Sequence, residues 1–340
     1  MKKLLFLSII ILFQFKCSSQ EIKILFIGNS LTNYYGLPGM VRQMAENTGK
    51  DIFIEQQTPG GVSLDEHIER QETIDKINEH QWDYIVLQGS HFHIAFPEYH
   101  YYIEPPIEGL KEIILANNPN TKIIFFMDWA MKNGNNFNSE FYPYNEFQDM
   151  IIEGTVILAD KYNFLISPIG SAWKTVVEQW PLIELYDPDL GHPSNYGSYL
   201  GACVYYAVLF KESVVGNEYT ASLTADKVDF IQEVASNTVL NNMDMWNLTN
   251  TTVVNNDYEN TNQIKIYPNP VTSSLYIKFE HSVGDMSITL KDIGSRIIFV
   301  ENMVTNNNEM QINMSPYPKG IYFLEIENLK ELNVYKIIKK

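Results

Sequence analysis

Apolar and polar positions follow two different rhythms along this chain. Ile22-Lys23-Ile24-Leu25-Phe26-Ile27 is an apolar, β-branched run of strand length that stops at Gly28. After it, Leu37, Met40, Val41, Met44 and Ala45 recur at the three- and four-residue spacing of one helix face. Residues 52–56 form a second strand candidate, followed by the Gly60-Gly61 turn. Residues 63–80 read as a charged helix with Leu64, Ile68, Ile74 and Ile77 on its inner side, and Ser63 with Glu66 fits a capping box. Further strands are predicted at 84–87, 122–127 and 164–169, with helices around 144–161 and 197–210. Strands that alternate with helices predict a parallel sheet covered on both faces, joined by right-handed crossovers. The chemistry of such a fold lies beyond the carboxyl ends of its strands, in the loops after Ile27, Gln57 and Leu87.

The second rhythm begins at residue 264. Seven short alternating segments (264–267, 275–279, 287–291, 296–301, 310–313, 321–327 and 333–338) are divided by Asn, Gly and Pro turns. They predict a small all-β sandwich over 264–340. Between the two patterns, 241–263 is Asn- and Thr-rich without periodicity and reads as a polar linker. At the other end, Lys2 and Lys3 precede the apolar run 4–13, and small polar residues follow. That order is the one a secretory signal peptide shows, and ten apolar residues are too few to span a bilayer of roughly 30 Å. The expected division is therefore a signal peptide at 1–20, an α/β domain at 21–240, a linker at 241–263 and a β domain at 264–340. Cleavage is expected near Ser19 or Gln20, with acylation of Cys17 as the alternative.

Charge supports this division. The 340 residues carry a net charge of −17, yet 1–20 hold three bases and no acid, and 263–340 hold nine bases and eight acids. The middle thus contributes 12 bases against 33 acids, the wrong sign for neutralising a polyphosphate, so nucleic acid is excluded as a partner. Only Cys17 and Cys203 occur, which excludes a disulfide framework.

Two loops carry the candidate chemistry. Gly28-Asn29-Ser30-Leu31-Thr32 puts a serine at the mouth of a strand–loop–helix turn, where a helix N-terminus favours developing negative charge. Far along the chain, Asp189-Leu190-Gly191-His192 sets an acid three residues before a histidine, so one loop presents a base and the carboxylate that orients it. Asp187 competes with Asp189 for the orienting role. His91 and His93, two apart, can point both rings one way on an extended segment as a metal pair would, but no Asp, Glu or Cys cluster accompanies them. A pocket wall is the better reading, and no metal or cofactor is expected. Trp129, Trp173 and Trp180 are core aromatics or sugar-stacking rings.

Together these blocks resemble the SGNH hydrolases, the GDSL-like esterase and lipase superfamily. Gly28-Asn29-Ser30-Leu31-Thr32 matches its first block, with Asn29 where Asp is usual; Gly60-Gly61 matches the second, and Asp189 to His192 the last. The resemblance implies a three-layer α/β/α, flavodoxin-like fold with a five-stranded parallel sheet. It also implies a serine esterase with nucleophile Ser30, base His192 and orienting acid Asp189. Backbone N–H groups of Ser30 and Gly61 would form the oxyanion hole. The third block is usually Gly-x-Asn-Asp, but this chain has Leu87-Gln88-Gly89-Ser90-His91. Gln88 is the leading candidate for the third donor, ahead of Ser90 and His91.

The β segment, through Ile266-Tyr267-Pro268-Asn269-Pro270, Lys319-Gly320-Ile321-Tyr322 and the basic end at Lys336 to Lys340, resembles a type IX secretion sorting domain. That resemblance implies a Gram-negative chain that meets the outer-membrane secretion machinery through this domain and is secreted or held at the cell surface. The substrate expected is an acylated glycan or a small ester. A lipase or lysophospholipase, and a non-catalytic glycan-binding protein on the same scaffold, are the rivals.

Overall fold

Strand β1 (Ile22–Ile27) runs through the centre of the molecule, with its last four residues fully buried. Parallel strands β2 (Ile52–Gln57), β3 (Tyr84–Gln88) and β4 (Lys122–Phe126) surround it. An antiparallel hairpin, β5 (Asn135–Phe137) and β6 (Glu140–Tyr142), precedes β7 (Leu165–Ser167), and the parallel sheet has the order β2-β1-β3-β4-β7. All four of its pairings are parallel, and a sheet buried on both faces suits the continuous apolar runs in the sequence. The structure is a computed structural model that describes residues 21–249, 264–279, 286–292, 296–303, 309–328 and 332–340. The expected signal segment and most of the expected linker lie outside the described residues.

In chain order the helices are α1 (Ser30–Asn33), α2 (Leu37–Asn47), α3 (Leu64–Glu69), α4 (Gln71–Glu79), α5 (His91–Ala95), α6 (His100–Asn117), α7 (Tyr144–Tyr162), α8 (Ile169–Gln179), α9 (Asn195–Phe210) and α10 (Ala225–Leu240). Helices α2, α8, α9 and α10 pack with one another, and α3, α4, α5 and α6 form a second group, so the sheet is the middle of three layers. Helix α9 is apolar on all sides because it is buried on all sides; Cys203 lies within it, buried and free. Its start is capped by Ser194, whose hydroxyl accepts from Tyr196 and Gly197 N–H.

The stretch expected as one helix from 63 to 80 is two. The capping box of Ser63 and Glu66 is present, but Arg70 is extended and ends the first helix. The break lets His67 turn fully inward while α4 restarts to bury Ile77.

The C-terminal segment folds as the seven expected strands: β8 (Ile264–Tyr267), β9 (Ser274–Phe279), β10 (Met286–Asp292), β11 (Ile297–Met303), β12 (Glu309–Asn313), β13 (Gly320–Asn328) and β14 (Leu332–Lys339). A three-stranded sheet, β12-β9-β8, faces a four-stranded one, β11-β10-β13-β14. Leu275, Ile277, Ile288, Leu290, Leu324 and Ile326 fill the space between them. Strand β13 serves two cores. Its even-numbered Tyr322, Leu324 and Ile326 face the sandwich, whereas Ile321 and Phe323 join the α/β core. Lys336 on β14 pairs with Asp160 of α7 at the same junction.

One boundary moves. Residues 241–249 were expected to begin the linker, but Met245, Trp246 and Leu248 are buried in the α/β core. Ile166 N–H of β7 donates to the Trp246 carbonyl at 3.0 Å. Polar composition concealed three anchoring apolar side chains.

Candidate active site

The loop after β1 is held from three sides. Asn29 N–H donates to Gln88 Oε1 at 3.0 Å, Asn29 Nδ2 donates to the Val62 carbonyl at 3.2 Å, and Asn29 Oδ1 accepts Leu31 N–H at 3.1 Å. Gly28 cannot be larger: a Cβ there would lie 2.6 Å from Thr32 Oγ1 and 2.9 Å from Gln88 Oε1. The Gly28 carbonyl accepts from His67 Nε2 at 2.8 Å, and His67 Nδ1 then accepts the Thr73 hydroxyl at 2.9 Å. A carbonyl takes only a donor, so this arrangement assigns the His67 tautomer, and burial pushes the imidazole below its ordinary value. Sequence reading passed over His67 as one residue of a charged helix.

Ser30 opens α1, a helix of four residues ended at Tyr34; the longer α2 starts only at Leu37. The expected helix dipole behind Ser30 is therefore a single turn of local N–H groups. Ser30 Oγ lies 2.9 Å from His192 Nε2, and His192 Nδ1 lies 2.5 Å from Asp189 Oδ2. The second oxygen of Asp189 accepts Gly191 N–H at 3.0 Å and His192 N–H at 2.9 Å. These bonds, the Gly191 N–H first and the His192 ring second, hold the Asp189 carboxyl down to about 2. Asp187 is engaged elsewhere, accepting the Tyr35 hydroxyl at 3.1 Å. The structure thus brings Ser30, His192 and Asp189 into one hydrogen-bonded chain across more than 150 residues of sequence.

The loop that carries Asp189 and His192 is pinned by an isolated bridge between Tyr186 and Pro193 and by Lys132 N–H to the Leu190 carbonyl at 3.0 Å. Leu190 sits in the left-handed region with φ of 64°, within a turn closed by its own N–H to the Asp187 carbonyl at 2.9 Å. Tyr34 stacks on the His192 ring, with centroids 4.4 Å apart and planes 18° apart. No sequence spacing points to that contact.

A cavity of about 330 Å³ opens over Ser30 and His192, walled by Leu31, His91, Trp129 and Met131. Trp129 stacks on buried Trp173 at 4.1 Å and donates its indole N–H to the Gly191 carbonyl at 2.9 Å. Trp180 lies away from it, edge-on to Phe230. Gln88, the expected third donor, does not line the cavity. Its side chain is buried; Oε1 serves Asn29, and Nε2 donates to the Gly89 carbonyl at 2.8 Å and to Asp128 at 3.5 Å. A residue at the end of a central strand is packed between neighbouring strands, which consumes its polar atoms. Gly61 sits in the left-handed region with φ of 74°, in the turn that Asn29 reaches through Val62. Its N–H and that of Ser30 have no hydrogen-bond partner among the described residues.

His91 and His93 have different neighbours. Both lie on α5, where His91 faces Asp128 and His93 stacks on Tyr102. Glu55, Glu79 and His80 form a possible ligand set among the described residues, but the Lys76 ammonium already bonds both carboxylates.

Residues 265–340 match the family model described as the secretion system C-terminal sorting domain. That domain marks the chain for secretion or attachment at the cell surface and for contact with secretion machinery. No curated protein matches the chain in sequence. Among solved structures, a DUF4886 family protein from Bacteroides uniformis superposes with a TM-score of 0.57 at 18% identity, covering 65% of this chain and 95% of that one. An SGNH hydrolase assignment accompanies a second, from Slackia heliotrinireducens, with a TM-score of 0.44, 21% identity and coverage of 55% and 98%. A third is a variant of an acetyl xylan esterase from Geobacillus stearothermophilus, with a TM-score of 0.40, 16% identity and coverage of 58% and 96%. The first likeness establishes the α/β fold; the other two superpose too loosely to bear on chemistry.

Proposed function

We propose that this chain is a secreted serine esterase that removes O-acyl groups, chiefly acetyl, from extracellular glycans. The observation that carries the reading is the chain Ser30 Oγ to His192 Nε2 at 2.9 Å and His192 Nδ1 to Asp189 at 2.5 Å, set beneath a cavity. In this mechanism His192 takes the Ser30 proton as Oγ attacks the ester carbonyl carbon. Asp189, ionised at neutral pH, holds the Nδ1–H tautomer and stabilises the imidazolium. The N–H of Ser30, at the cavity and unpartnered among the described residues, receives the oxyanion, with the N–H of Gly61, which does not itself line the cavity, as the second donor that the sequence blocks imply. Collapse of the tetrahedral intermediate expels the alcohol, which takes the proton from His192. Water then attacks the acyl-enzyme by the same route in reverse order.

A cavity of about 330 Å³ walled by Leu31, Trp129 and Met131 suits a short acyl group, being at the lower end of the roughly 300–1,000 Å³ of ligand pockets. Tyr35, about half exposed beside the Asp189 loop, offers a ring face to a sugar. The sorting domain, with the signal peptide expected at 1–20, delivers the enzyme through a type IX system of a Gram-negative cell.

Labelling with a fluorophosphonate tests the nucleophile, because only an activated serine reacts. Wild type should label and Ser30→Ala should not. Among 4-nitrophenyl esters, acetate should be turned over faster than octanoate. A preference for long chains would make the protein a lipase, and absence of labelling would leave a glycan-binding protein.

A further inference from the structure

The esterase reading leaves one polar group at the cavity unexplained. Asn29 spends its carboxamide on Leu31 and Val62, and Trp129 spends its indole N–H on Gly191. Asp189 and His192 are bonded to each other and to Ser30. His91 is different. Its Nε2 is shielded from solvent and has no hydrogen-bond partner among the described residues. Its Nδ1 faces Asp128 Oδ2 at 3.6 Å, and the other Asp128 oxygen also lacks a partner. Asp128 is fully buried on the segment leaving β4. Phe92, 4.4 Å from the imidazole between centroids, and Phe147, edge-on at 6.0 Å, keep the ring from turning.

Unpartnered buried polar atoms are costly, so a pair of them at the wall of the cavity that Ser30 also lines calls for a ligand. We propose that His91 donates its Nε2–H to the oxyanion formed when Ser30 attacks, and that Asp128 is the positioning residue that holds the ring for this task. The inference rests on the esterase reading above.

A buried pair avoids net charge, and burial pushes the Asp128 carboxyl up. A carboxylic acid that donates toward Nδ1 leaves the ring hydrogen on Nε2, and the buried pair then carries no net charge. The negative charge on the carbonyl oxygen, created as the Ser30 Oγ–C bond forms, completes the set. Gln88 cannot take this role where it stands, because it does not line the cavity and the two hydrogens of its amide nitrogen are directed to the Gly89 carbonyl and Asp128. It contributes instead to the seat of Asp128, at 3.5 Å.

The test uses the full chain and 4-nitrophenyl acetate. His91→Ala should lower kcat by about 100-fold or more while KM stays within about threefold, the signature of an interaction made in the transition state. His91→Asn, which restores a donor without the ring, should recover about tenfold of that loss. Asp128→Asn should lower kcat by about tenfold in the wild-type background but by less than about twofold beside His91→Asn, because it acts through the imidazole. A merely structural pair would show equal losses in both backgrounds and no recovery with Asn, and that result would overturn the proposal. A near-normal kcat for His91→Ala with Ser30→Ala inactive would overturn it too and leave the esterase reading intact. Full activity of Ser30→Ala would instead remove the esterase reading itself.

Discussion

Gln88 Oε1 accepts the backbone N–H of Asn29 at 3.0 Å, tying the residue before Ser30 to the carboxyl end of a neighbouring strand. The same oxygen lies 3.4 Å from the Thr32 hydroxyl, so one side chain braces both sides of the serine. The position of Ser30 relative to His192 is therefore set by β3 as well as by its own loop.

Removing that brace should cost stability as well as rate. Gln88→Ala leaves the Asn29 N–H without its acceptor, worth about 1–3 kcal/mol. Urea unfolding should show that loss, with a fall in kcat that tracks the displaced serine. Gln88→Glu should be worse, since a carboxylate oxygen would then face the Gly89 carbonyl and Asp128. Wild-type stability in Gln88→Ala together with slow turnover would return Gln88 to the oxyanion.

The two acids near His192 should separate cleanly. Asp189→Asn should lower kcat by about 10⁴-fold through the wrong imidazole tautomer. Asp187→Asn removes only the Tyr35 partner and should change kcat less than about fivefold, a surface contact of little worth. Steady-state kinetics of the two variants decides, and the reverse ranking would move the orienting role to Asp187.

Ser30 and His192 should act as a unit. Each alanine variant should lose about 10⁴-fold or more in kcat, and the double variant little beyond the worse single one. Multiplying losses in the double variant would show that the two side chains work independently.

Acid should loosen the nucleophile loop through His67. Its folded-state value is depressed by burial, so the unfolded chain binds the proton first as pH falls. The contribution is complete above about pH 6.5 and is lost progressively below it, down to the folded-state value, at up to about 1.4 kcal/mol per pH unit. Urea unfolding between about pH 8 and pH 5 should show this slope in wild type. His67→Gln keeps a donor for the Gly28 carbonyl but does not titrate, and should flatten it.

The end of the α/β domain should fall after Leu248. A chain of residues 21–250 should fold and hydrolyse aryl acetates, whereas 21–241 should not, because it lacks Met245, Trp246 and Leu248 from the core. Soluble expression and circular dichroism of the two truncations are the measurement. The 21–250 protein should also be less stable than the full chain, since Ile321, Phe323 and the Lys336–Asp160 pair leave the junction.

Periodicity in the sequence was enough to determine the layers. Runs such as residues 22–27 and the alternation beyond 264 reflect burial on two faces or one, which is a local property of each strand. Ser30 and the Asp189–His192 spacing were legible for a similar reason, since a loop of four residues carries its own geometry. What the tertiary structure alone decided concerns polar atoms and their partners. Whether Gln88 faces a cavity or a neighbouring loop and whether His67 is a surface residue or a buried clamp depend on groups 59 and 39 residues apart. The same holds for Trp246, whose polar neighbours in sequence gave no sign that its ring is buried in the α/β core and its carbonyl bonded to β7. A hydrogen bond is short and directional, so its partner is chosen by the final approach of two backbones, after hydrophobic burial has already set the layers.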